Sequence, residues 1–191
     1  MWRKRDEDGE VVDGGSGRYG PQAPLGRAVP MWAGVASGGV GVVLFHKRRK
    51  LSSREWVRDA VNSGKLVEAC KTARPERVRA PWHVLCDNES FLDKSASAHR
   101  RVGVRLWHVP PRSPDLNPAE KFWAWLRRKL RILDLEDLMH GRPPATKAKL
   151  RARVRAVSES QKAKAVARNC VLGLRRVCLE VIRRRGQATR G

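Results

Sequence analysis

Two short apolar runs, Met31–Ala36 and Val40–Phe45, flank the turn residues Ser37, Gly38 and Gly39. Apolar, strand-forming runs on both sides of a Gly-rich break read as a β-hairpin. The stretch from Ala28 to Phe45 is 18 residues without a charge, close to the length of a membrane span. Pro30 and the glycines at 38, 39 and 41 argue against a lone helix, since each interior glycine costs about 1 kcal/mol; the hairpin is the expected form. Further on, Ser52 or Ser53 can cap a helix with apolar positions Trp56, Val57, Ala60, Val61, Leu66, Val67 and Cys70, and Gly64 is its weak point. Trp82–Cys86 and Val104–Val109 read as short buried strands joined through a helical stretch, Lys94–Arg101. That order is a parallel βαβ unit.

The next helix start is well marked. Asn117 is a good N-cap, Pro118 suits the first helical position and Glu120 stands at the third. Phe122, Trp123, Leu126 and Leu130 share one face of this helix, while Arg127, Arg128, Lys129 and Arg131 point elsewhere. Downstream, Leu150, Val154 and Val157 keep helical spacing, as do Val166, Cys170, Leu174, Val177, Cys178, Val181 and Ile182 before Gly186. Residues 1–28 are Gly- and Pro-rich and read as irregular, with a strand remnant at Val11-Val12. The expected organisation is an irregular segment over 1–28, an α/β core over 29–137 and a basic helical region over 138–191.

Charge narrows the partners. The 191-residue chain holds 41 Lys and Arg against 19 Asp and Glu, a net +22. From Leu138 to Gly191 there are 15 basic residues and two acids, Glu159 and Glu180, so the last third reads as a basic arm. So lopsided a balance is foreign to a typical metabolic enzyme and calls for a polyanion, nucleic acid before a membrane surface. No small-molecule substrate is implied. Lys47, Arg48, Arg49 and Lys50, with Arg127, Arg128, Lys129 and Arg131, are the candidate DNA contacts. The four cysteines show no C-x-x-C spacing and suggest neither zinc nor a disulfide framework. The charged start at Trp2-Arg3-Lys4-Arg5 is no secretory leader. The expected location is the nucleus in a eukaryote and otherwise the cytoplasm, with DNA.

Two carboxylates are placed for chemistry. Asp87 ends a predicted strand, where side chains gather at the carboxyl edge of a parallel sheet. Glu120 opens the helix that follows the next strand. Such a pair suits Mg²⁺ or Mn²⁺, and two such ions about 4 Å apart support phosphodiester chemistry. The alternative readings are a simple Asp-Asn turn at 87–88 and a capping box between Asn117 and Glu120. The histidines are assigned no role.

The run Val84-Leu85-Cys86-Asp87-Asn88, followed by Val109-Pro110-Pro111-Arg112-Ser113-Pro114-Asp115-Leu116-Asn117-Pro118-Ala119-Glu120-Lys121-Phe122-Trp123, resembles the DDE superfamily of mariner-type transposases. The family shows a strand ending in Asp-Asn and then this Pro-rich segment opening a helix. Met31-Trp32-Ala33-Gly34 resembles an earlier strand of the family, and Arg175-Arg176 through Gly186 resembles its closing helix. The resemblance implies a ribonuclease-H-like mixed sheet with flanking helices. It implies Asp87 and Glu120 as the second and third acidic metal ligands, Asn117 and Pro118 as the supporting helix cap, and Mg²⁺ or Mn²⁺ as cofactor. The activity implied is metal-dependent DNA strand cleavage and transfer, with DNA as partner, and a homodimer on transposon ends is compatible with it. In the family the first catalytic Asp stands on a strand upstream of a segment like Trp2-Arg3-Lys4. The expectation is therefore a chain lacking that strand, truncated or decayed and inactive alone, with Asp6, Asp8 and Asp13 poor substitutes. A non-catalytic basic nucleic-acid-binding protein derived from a transposase is the alternative.

Overall fold

The hairpin forms where the apolar runs place it. The computed structural model describes residues 29–46, 51–77, 79–111 and 113–186, together with the backbone of two short antiparallel strands, β1 (Lys4–Arg5) and β2 (Val11–Val12). The tetrad Lys47, Arg48, Arg49 and Lys50 lies outside the described residues. β3 (Met31–Ala36) pairs antiparallel with β4 (Gly39–Phe45), from Met31 opposite Phe45 to Ala36 opposite Gly39. A bulge interrupts the ladder, because Trp32 faces Leu44 while Ala33 faces Val42. Val43 is thereby unpaired, and the alternation of faces shifts by one residue. Val40 and Val42 join one core cluster, Val43 and Leu44 the other, and Phe45 returns to the first.

Helices cover both faces of this hairpin. On one side, Ser52 and Glu55 close a capping box: Ser52 Oγ accepts from Glu55 N at 3.2 Å, and Glu55 Oε2 accepts from Ser52 N at 3.1 Å. The box starts α1 (Ser53–Trp56), which widens into a π-helical turn over Val57–Val61. Gly64, with φ 76°, supplies the left-handed residue that redirects the chain into α2 (Lys65–Ala73), as only glycine does without strain. α2 lies directly on the hairpin backbone. At Gly41 any Cβ would overlap the Ala69 carbonyl, so the sheet and helix meet at a distance that a side chain forbids. The Gly38 amide also donates to Ala73 O at 3.0 Å.

β5 (Trp82–Cys86), α3 (Ser90–Asp93), α4 (Ala96–Arg101) and β6 (Val104–His108) form the expected βαβ unit. The two strands are parallel, from Trp82 beside Val104 to Cys86 beside His108. One face of this pair is buried with the first cluster, through Trp82, Cys86 and Val104, around the fully buried indole of Trp56. The other face is exposed at His83, Leu85, Arg105 and Trp107, which corrects the expectation of buried strands.

On the opposite face of the hairpin, α5 (Pro118–Met139), α6 (Lys147–Glu159) and α7 (Gln161–Arg183) pack together. Phe122 and Leu126 of α5, Val154 of α6, and Ala163 and Ala167 of α7 are buried with Val40. The basic last third is therefore helical but is no free arm, because its small apolar residues close the second cluster. Asp137, buried at the end of α5, receives Lys149 Nζ at 2.9 Å, Arg142 Nε at 2.9 Å and the Arg153 guanidinium. Hydrogen bonds from Lys149 and Arg153 hold its carboxyl down to about 2, and the cluster ties α5 to α6.

The described strands make three separate two-stranded sheets rather than one continuous mixed sheet. Among the described residues β3 is paired only with β4, and β5 only with β6. Among the described residues no helix is long and apolar enough to cross a membrane.

Candidate active site

Asp87 leaves the carboxyl end of β5, and several bonds fix the chain there. Val109 N donates to Cys86 O at 2.9 Å, and Asn88 Nδ2 donates to Val109 O at 2.7 Å, so the exits of the two parallel strands are tied together. Glu89 N donates to Asp87 O at 2.8 Å, closing a tight turn. His108, at the end of β6, sets one ring nitrogen 3.3 Å from Asp87 O and the other 3.0 Å from the Asp93 carboxylate. The turn that carries Asp87 is thus held from both ends. Sequence reasoning assigned His108 nothing, since only the parallel register brings it beside Asp87.

The decisive contact is made by Asn117. Its Oδ1 accepts from Ala119 N at 3.0 Å, capping α5, while its Nδ2 donates to Asp87 Oδ1 at 2.7 Å. One nearly buried amide therefore caps the helix and holds the acid. Pro118 occupies the first helical position, where its missing N–H costs nothing, and Glu120 stands in the first turn. The capping box considered for Glu120 is not formed. The Asn117 N–H is already given to Pro114 O at 3.1 Å, and this leaves the Glu120 carboxylate for other work.

Asp87, Asn117 and Glu120 line one cavity of about 890 Å³. β3 forms one wall and β5 another, with apolar side chains of α2 and of α5–α7 closing it above and below. Among the described residues β3 and β5 each pair with one strand only, and both line this space. Glu89 lines it too, and its carboxyl is pushed above the usual range, first by desolvation and then by the charge of Asp87. The signal that could have found Glu89 was its position two residues from Asp87. Of the basic candidates, Arg127 reaches the cavity wall, whereas Arg128, Lys129 and Arg131 are exposed on α5.

A family model described as DDE superfamily endonuclease matches residues 22–138. The chain belongs to this superfamily. No curated protein and no solved structure matches the chain. DDE superfamily endonucleases are generally dependent on divalent metal ions and act on DNA. In this DDE endonuclease chain the donors fit such an ion in kind: Asp87, Glu89 and Glu120 beside the cavity are carboxylates, the hard oxygen ligands that Mg²⁺ and Mn²⁺ favour. They fall short in grouping, because among the described residues no three His, Cys, Asp or Glu side chains are grouped to hold a metal. Burial pushes the Cys86 thiol beside them up to about 11.

Proposed function

We propose that this chain is the catalytic portion of a DDE-type transposase, which cuts DNA strands and joins the freed 3′ end to target DNA. The observation that carries the reading is the Asn117 amide, which couples Asp87 to the turn of α5 that presents Glu120. Asp87 and Glu120 would hold the divalent ion, and the ion would activate a water or hydroxyl and stabilise the leaving oxygen. Asn117 and Pro118 aim Glu120, and Asn88 with His108 hold the turn that bears Asp87. A third carboxylate, from outside the described residues, completes the ligand set, and the chain is inactive without it. Cationic side chains such as Arg127 and Arg128 neutralise DNA phosphates, and Lys47–Lys50 are proposed for the same task.

Isothermal calorimetry with Mn²⁺ tests the metal reading without requiring turnover. The wild-type chain is expected to bind Mn²⁺, and Asp87→Ala and Glu120→Gln are each expected to abolish the heat. Equal absence of binding in all three would overturn it. That result would favour the second reading, a basic nucleic-acid-binding protein whose affinity falls steeply with salt and needs no metal.

A further inference from the structure

Parallel strands are ordinarily covered on both faces, yet one face of the β5–β6 pair is open among the described residues. Side chains alternate along each strand. His83 and Leu85 therefore share a side with Arg105 and Trp107, and the register sets His83 beside Arg105 and Leu85 beside Trp107. Trp107 is 60% exposed and Leu85 41%. The indole is not loose: Trp107 Nε1 donates to His83 Nδ1 at 2.9 Å, and the two rings lie 6.2 Å apart at 35°. A large flat ring is thus held in one orientation on an open surface, with Arg105 exposed beside it.

We infer that the Trp107 indole is a stacking platform for an unpaired nucleobase of single-stranded DNA. Charge complementarity selects the occupant, because a chain of net +22 attracts a polyanion, and among polyanions an unpaired strand also offers free π-faces. A base pair inside a duplex hides those faces. Trp107 gives the base its stacking surface, Leu85 extends the apolar floor, and Arg105 is available to the phosphate. Asp87 lies two residues beyond Leu85, a rise of about 7 Å along the strand. In this proposal the neighbouring nucleotide extends along β5 towards Asp87. The stacking stands on the geometry of this face alone, whereas its service to cleavage rests on the reading of Asp87 given above.

The test is fluorescence anisotropy with a labelled oligothymidylate and a duplex of equal length, measured over a range of salt. Trp107→Ala is expected to weaken single-strand binding about tenfold, within the usual range for loss of one base–aromatic stack. Duplex binding and the salt dependence of both should stay as in wild type. Trp107→Phe, which keeps a π-face, is expected to retain most of the affinity, and Trp107→Leu, which keeps only apolar bulk, to behave as alanine does. Unchanged single-strand affinity in Trp107→Ala, or an equal loss on duplex, would overturn the proposal. So would a loss of self-association in place of DNA affinity, since that assigns the face to a second copy. Oligothymidylate binding is measured without metal and Mn²⁺ binding without DNA, so a failure of the metal reading and a failure of the stacking platform give different results.

Discussion

Trp56→Ala is expected to lower the unfolding free energy by about 3–5 kcal/mol, read as a drop in the urea midpoint. The indole has no exposed surface and is the largest side chain so buried among the described residues. Its ring lies 4.6 Å from Trp32, 5.4 Å from Phe91 and 6.0 Å from His99, joining the hairpin to α3 and α4. Its Nε1 also donates to His99 Nε2 at 2.6 Å. Truncation therefore leaves both a cavity and a buried imidazole nitrogen without its donor, and the two penalties act together. Domains of this size are stable by about 5–15 kcal/mol, so the loss removes much of the margin. Trp56→Phe should fall between, because it refills most of the space and still strands His99. A loss under about 1 kcal/mol would show that the cluster does not depend on this ring.

Phe122→Ala should cost a similar amount, about 3–5 kcal/mol, with a second consequence that Trp56→Ala lacks. Phe122 is fully buried against Val40, Leu126, Val154, Ala163 and Ala167, with Trp123 and Trp125 at 5.2 and 5.4 Å. It anchors the first turns of α5 to the hairpin, two residues after Glu120. Emptying that position loosens the helix start, so Mn²⁺ affinity is expected to fall together with the urea midpoint. Glu120→Gln separates the two effects, since its exposed side chain should lose the metal and leave the midpoint where it was. Loss of stability in Phe122→Ala with full Mn²⁺ affinity would show that the packing does not position the acid.

What the sequence made legible was local. The hairpin, the βαβ order and the Asn117-Pro118 helix start each depend on neighbouring residues, and each forms where those residues place it. The apolar face of α5 was also readable, although Trp123 and Leu130 are only half-buried. What escaped was set by contacts between distant segments. The bulge that turns Val43 and Leu44 to the same helix layer follows from register, which apolar alternation alone does not fix. Gly41 reads as a residue that argues against a lone helix, whereas its role is the close approach of Ala69. Asn117 reads as a cap and nothing more, because its bond to Asp87 spans 30 residues. The same holds for His108 and for the open face of Trp107, since the strand pattern could show an apolar run but not which side would be covered.

The gap between β3 and β5 has a consequence for how the molecule breathes. Both strands line the cavity, and among the described residues each is bonded to one strand only, so the amides of its other edge have no strand neighbour. The hairpin and the βαβ unit are held together through the helix layers, without a backbone ladder between them. In deuterated water those edge amides should exchange rapidly through local solvation, while the amides between β3 and β4 and between β5 and β6 wait for larger openings. Protection would then be low at the two inward edges and high on either side of them.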